Sequence, residues 1–180
     1  EAQYNLGILY EKQGKYELAA TAYRTVYKDL KIAAENLGNM YRRIGRVNEA
    51  VEIFQFLKGK YPKDVKVMVA LASLYRQSKK YDNGIELCRD ALQEDPRTID
   101  AYRTMAMIYY DMKKYELARL SVAQGLKIDP LETGLRHILG MVLMKLKDMP
   151  SALAQFKKVV EMRPDYLPAR MNIGAIALHY

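Results

Sequence analysis

Apolar and polar positions alternate along the chain with helical spacing, and the same alternation keeps returning. Leu71, Ala72 and Tyr75 fall at i, i+1 and i+4, and Gly84, Leu87, Cys88 and Ala91 at i, i+3, i+4 and i+7. Each run therefore gathers its apolar side chains on one face of a helix. Short polar turns separate paired runs: Gln13-Gly14-Lys15, Ile44-Gly45-Arg46, Lys79-Lys80, Lys113-Lys114 and Lys147-Asp148. The predicted unit is a helix, a tight turn and a second helix. Pro62, Pro96, Pro130 and Pro164 recur at one constant interval, and each ends a second helix, because proline disfavours helical geometry in its predecessor. The same interval links Leu37, Leu71, Met105, Leu139 and Ile173, each followed by a small residue, Gly38, Ala72, Ala106, Gly140 or Gly174; Leu6-Gly7 begins the series at a slightly shorter spacing. Aromatic residues keep this register in Tyr10, Tyr41, Tyr75 and Tyr109, small ones in Ala19, Ala50, Gly84, Ala118 and Ala152, and bulky ones in Tyr23, Phe54, Cys88, Val122 and Phe156. The small residue after each leucine is expected where a first helix meets the second of its own pair, in backbone contact.

With a leucine and small residue, a tyrosine, an alanine, an aromatic and a terminal proline in this order, the sequence resembles the tetratricopeptide repeat (TPR) family over its whole length. The resemblance implies an all-α fold, a right-handed α-solenoid of helix-turn-helix hairpins. Units fall at about 1–30, 31–64, 65–98, 99–132 and 133–166, with the first helix of a sixth at 167–180. The reading is a single array, expected to be a fragment of a longer chain because it opens without Met and stops in mid-pattern. Two departures stand out. The family's aromatic near the start of the first helix is Gln3, Ala34, Met68, Arg136 and Arg170 in five units, and only Tyr102 keeps it. The first unit is shorter than the others and lacks the proline, which predicts a tighter or irregular junction around Lys28 to Ile32. Stability in such arrays comes from stacking of neighbours, so weak units do not threaten the fold.

Composition narrows the chemistry. Half of the 180 residues are hydrophobic and 28% are charged, the balance of a folding chain rather than a disordered one. One Cys excludes an internal disulfide framework and a cysteine-rich zinc site, and leaves cytoplasmic and bacterial cell-envelope (periplasmic) settings equally open. The longest apolar stretch, Val67 to Tyr75, is far short of a membrane span. A nucleophile with its base, paired carboxylates or a phosphate loop is not evident. His137 and His179 stand in different units without a carboxylate or cysteine at ligand spacing, Cys88 takes a bulky core slot, and Asp95-Pro96 and Asp129-Pro130 read as helix endings. We therefore expect a non-enzymatic protein that uses no cofactor and no metal. The formal charge of +8 with fifteen tyrosines suits nucleic acid in principle. Most of the tyrosines occupy repeat slots that face neighbouring helices, which argues against it.

The resemblance implies that ligands meet the concave side, on the outer stripe of each first helix. Asn36, Asn39, Arg42, Arg43, Lys66, Arg76 and Arg103 offer polar donors there, and Met107, Tyr110, Met141, Met144 and Met171 an apolar stretch, since methionine adapts to varied side chains. The expected partner is a protein or peptide with acidic and apolar residues. Co-chaperone TPR domains clamp a terminal carboxylate with five Lys, Asn and Arg side chains. Those places hold Tyr4, Ile8, Asn36, Lys66 and Ala70 in the first three units, or Glu35, Asn39, Ala70, Asp100 and Thr104 in the next frame, so no chaperone-tail carboxylate clamp is expected. The function read from the residues is an interaction scaffold within a larger assembly. A regulatory or substrate-recruiting arm of a larger enzyme such as a glycosyltransferase is the alternative, and a basic RNA- or anionic-lipid-binding surface a weaker one. The lone first helix at 167–180 is expected to fray or to self-associate.

Overall fold

The computed structural model describes residues 2–179 apart from the His179 side chain; Glu1, Tyr180 and that imidazole lie outside the described residues. Among the described residues there are eleven helices and no strand: α1 (Ala2–Lys12), α2 (Tyr16–Arg24), α3 (Lys31–Arg43), α4 (Val47–Lys60), α5 (Val65–Gln77), α6 (Tyr81–Glu94), α7 (Ile99–Asp111), α8 (Tyr115–Ile128), α9 (Thr133–Lys145), α10 (Met149–Met162) and α11 (Leu167–His179). The chain forms two compact units, Glu1–Glu94 and Asp95–Tyr180. In the first, each of α1 to α6 packs on the next in sequence; in the second, α7 to α11 do the same, and α7 also touches α9. Each unit is an all-α stack of helical hairpins, the fold class that the repeat implies.

The prolines act as expected. Tyr61, Asp129 and Arg163 precede prolines, and their φ values of −130°, −133° and −140° lie outside the helix. The first junction is irregular, as its missing proline suggests. Here α2 has 9 residues against 14 in α4, and turns from Thr25 to Asp29 replace its last stretch.

The five hairpin turns share one device. After each first helix a residue takes positive φ, Gly14 (72°), Gly45 (80°), Lys79 (58°), Lys113 (60°) and Lys147 (65°). The next N–H then reaches back to close the helix end, as in Arg46 N–H to the Tyr41 carbonyl (2.8 Å) and Lys114 N–H to the Tyr109 carbonyl (2.8 Å). This is the left-handed cap that glycine favours. Three turns carry lysine instead. Gly45→Ala should therefore lose about 1 kcal/mol, whereas Lys113→Gly should lose nothing, because relief of the left-handed strain offsets the entropy glycine adds to the unfolded chain. Urea unfolding of the two variants checks the contrast.

The bulky repeat series is the spine of the core. Tyr23, Cys88, Val122 and Phe156 are 0% exposed and Phe54 is 4%. The small residues meet this spine through side chains rather than backbone, which corrects the expected contact. A methyl group at Gly38 would stand 2.5 Å from Phe54 Cε2, and one at Gly140 2.5 Å from Phe156 Cε1; the Tyr23 ring closes Gly7 in the same way. Glycine thus pairs with a ring on the second helix of its own hairpin, while Ala72 and Ala106 pair by register with the smaller Cys88 and Val122. The two positions share one volume.

Candidate protein-interaction surface

The first helices of the first unit carry most of the predicted donors, and the structure sorts them. Ends of α1, α3 and α5 border one pocket of about 460 Å³ lined by Glu11, Asn39, Met40, Arg42, Arg43 and Gln77. A second, of about 150 Å³, is lined by Glu35, Asn39, Phe54, Lys66, Val67 and Ala70. Asn39 belongs to both. Arg43 lies over the Tyr16 ring, 4.4 Å from its centroid, a stacked cation that keeps its N–H edge outward. Asn36 and Glu11 both reach the Tyr23 phenol, which donates to Glu11 Oε2 at 3.0 Å; burial, then the hydrogen bond from this phenol to Glu11, pushes Tyr23 up to about 12. Arg76 sits half-buried in the last turn of α5. Basic residues here also suit the negative end of a helix dipole.

Other cations in this unit are spent on the fold. Arg46 binds Glu49 (2.6 Å) and approaches Glu17 (3.9 Å). Lys31 joins α3 to Asp64, the cap of α5, whose carboxylate also accepts from Val67 N–H at 3.1 Å. Burial opposes ionisation of Asp64, but Lys31 and that N–H outweigh it and hold the carboxyl below its ordinary range. Among the described residues no carboxylate pairs with Arg42 or Lys66.

In the second unit Arg103 is occupied. Its guanidinium binds Asp100, and reaches Glu132 at 3.4 Å; Glu132 in turn caps α9 through Leu135 N–H. Met107 is half-buried on α7, and Tyr110 packs edge-on against Tyr115 at 5.6 Å; burial, then Tyr115, raises the Tyr110 phenol. Met141 and Met144 are half-buried against the cluster of Ala152, Phe156, Val159, Ala169 and Ile176, so they serve the core as well as the surface. Met171 is 66% exposed on α11.

The residue pattern sets His137 on the outer stripe of its first helix and excludes a metal role, but does not show the contacts it makes. Its Nε2 lies 3.1 Å from the Asn172 amide nitrogen, tying α9 to α11, and its ring packs on Phe156 and Tyr166 at 5.6 and 5.3 Å. Burial lowers its affinity for a proton. Below the ordinary value of 6.5 an unfolded imidazole accepts a proton that the folded one resists, so stability held above that pH declines as pH falls through the lowered folded value. Hydrogen exchange of α11 should therefore speed up between neutral pH and about pH 5 after correction for intrinsic rates, and His137→Gln should flatten the change.

Cys88 is buried, and burial pushes its thiol up to about 12. No group of three or more His, Cys, Asp or Glu among the described residues could hold a metal ion, and no helix is long and apolar enough to cross a membrane.

Four family profiles described as tetratricopeptide repeat match the chain, at residues 1–29, 35–97, 75–136 and 134–166. The chain belongs to the tetratricopeptide repeat family. The first and last TPR matches coincide with the hairpins α1–α2 and α9–α10. No curated protein matched in sequence. Among solved structures, TTC0263, a thermophilic TPR protein of Thermus thermophilus, superposes with a TM-score of 0.81 at 21% identity, covering 98% of each chain. MamA AMB-1 gives 0.68 at 24% identity over 88% of this chain and 96% of its own. YrrB, described as a TPR protein with an unusual peptide-binding site, gives 0.66 at 16% identity over 94% and 89%.

Proposed function

We propose that this TPR chain is a non-enzymatic scaffold that holds a segment of another protein against its first-helix faces within a larger assembly. One observation carries the reading: α1, α3 and α5 together build a polar pocket in which Arg42 has no carboxylate partner among the described residues. Extended faces of stacked hairpins are what solenoids use for binding, and the peptide-binding description of YrrB supports the same use here. In this reading Asn36, Asn39, Arg42, Arg43, Lys66 and Arg76 meet acidic groups of the partner, while Met107, Tyr110 and Met171 meet apolar side chains. Arg103 contributes through its outer edge only. The test is a pull-down with the intact chain followed by binding kinetics with the recovered partner. Arg42→Glu should slow association and reduce its salt dependence, and Met171→Asp should speed dissociation by placing a charge where an apolar group must desolvate. Unchanged kinetics in both variants would reject the reading.

The last helix favours a second contact. Ala169 and Ile176 are buried, but Leu167 and Leu178 are 62% and 85% exposed, and a methyl group at Gly174 would meet nothing. This is the face that α10 covers in the preceding hairpin. We propose that it lets the 180-residue chain self-associate. Sedimentation should give a weight that rises with concentration, and Leu178→Glu should remove the rise; a monomer at every concentration would refute it.

A further inference from the structure

We propose that the second unit docks on an anionic lipid surface along the edge where its hairpins turn. Lys113, Lys114 and Lys147 meet the charged headgroups, and Leu117 and Leu120 enter the layer beside them.

The turns bring these residues together. Lys113 and Lys114 lie between α7 and α8, and Lys147 follows Leu146, the C-cap of α9. One cavity of about 380 Å³ joins the two turns, lined by Lys113, Lys114, Tyr115, Glu116, Leu117 and Leu146. All three lysines are exposed, and none has a carboxylate partner among the described residues. The acids nearby are already engaged: Glu116 binds Arg119 at 2.8 Å, Asp148 accepts from Ser151 N–H at 3.1 Å, and Asp111 is not free. The edge therefore presents positive charge that the protein itself does not neutralise.

The fold requires neither the lysines nor the leucines. Lys113 and Lys147 take φ of 60° and 65° in a slot that Gly14 and Gly45 fill in the first two hairpins, a conformation that any side chain disfavours. Leu117 and Leu120 are 42% and 56% exposed. By register, the slot of Leu120 holds Thr21, Glu52, Glu86 and Ala154 in the other hairpins, so stacking needs no large apolar side chain there. A lone exposed leucine is ordinary. These two share one face of α8, a turn apart, and Leu117 borders the same cavity as the lysines.

A membrane interface supplies both partners at once, anions for lysine and hydrocarbon for leucine. Lysine suits it, because the flexible stem lies along the apolar layer while the ammonium stays at the headgroups. It does not need the paired planar contact that arginine makes with a fixed carboxylate. Single-stranded nucleic acid is held by open aromatic faces, and the ring at this edge, Tyr115, packs against Tyr110 at 5.6 Å. A phosphate backbone also offers nothing apolar to cover a leucine.

The probe is a vesicle of phosphatidylcholine with or without phosphatidylserine, floated with the whole chain. The chain should float with the mixed vesicles and not with phosphatidylcholine alone, and salt should release it. Each lysine near such a surface adds about fivefold in affinity, so Lys113→Gly with Lys147→Gly should weaken binding about twentyfold. Glycine suits both turns, so this pair should keep the parent's unfolding midpoint. Removing the same charge on α10, in Lys157→Gln with Lys158→Gln, should leave binding within about twofold. Leu120→Ser should weaken it severalfold. Cys88, buried and with its thiol pushed up to about 12, escapes labelling, so an environment-sensitive dye on Leu117→Cys reports this edge alone and should brighten on the mixed vesicles. The dye and the salt response test the contact even if the glycine pair loses its fold. Equal flotation with both vesicles, equal losses in the two lysine pairs, or a dye that stays dim would each overturn the proposal. Tighter capture of a single-stranded RNA or an Asp-rich peptide, lost in the glycine pair, would overturn it too and assign the edge to that ligand.

Discussion

Gly38→Leu should destabilise the first unit by about 1–3 kcal/mol, because a large side chain must enter a core that is already full. The methyl group of alanine alone would stand 2.5 Å from Phe54 Cε2 and 3.4 Å from Ile53 Cγ2, and both neighbours are buried. The pairing of glycine with a ring makes a sharper statement than the loss itself. At Ala106 and Val122, both 0% exposed, the same two slots hold a methyl group and a smaller partner. Phe54→Val should therefore make room for Gly38→Ala, and the double variant should be more stable than the sum of the single losses predicts. A coupling of about 0.5–3 kcal/mol is expected for residues in contact. Urea unfolding of the four proteins measures it, and strictly additive losses would show that the two positions do not share a volume.

Phe156→Ala should have the larger effect, about 3–5 kcal/mol, since it removes a fully buried ring. That ring fills the space over Gly140, packs 5.6 Å from the His137 ring and shares its cluster with Val159, Ala169 and Ile176. Two of those residues belong to α11. The loss should therefore appear first as faster hydrogen exchange across α11, then as a lower unfolding midpoint. A loss below about 1 kcal/mol with α11 still protected would mean that this cluster does not anchor the last helix.

Much of this architecture was legible because it is periodic. The constant interval between the prolines located the hairpins, the turn positions and the spine of Tyr23, Phe54, Cys88, Val122 and Phe156, for burial at one slot is inherited by the next when every unit stacks alike. Gly38 and Gly140 were read correctly as contact points and wrongly as backbone contacts, since the partner ring lies on the other helix of the hairpin and its rotamer is not written in either helix. The site was less legible. A donor stripe can be counted along helices, but whether a cation is free depends on carboxylates brought in by other elements. Glu132 reaches Arg103 from the start of α9, and Asp64 reaches Lys31 from the cap of α5. Met141 and Met144 face the core cluster as well as the surface, a division set by side-chain direction rather than spacing.

Photo-crosslinking in the intact chain shows whether a partner segment lies along the first-helix faces. A photoreactive amino acid replaces Asn39 or Gln77 on α3 and α5, or the exposed Glu52 or Glu86 on the second helices α4 and α6. Asn39 and Gln77 should capture the natural partner, and Glu52 and Glu86 should not. Capture from Glu52 and Glu86 with none from Asn39 or Gln77 would place the partner on the second helices and contradict the first-helix placement.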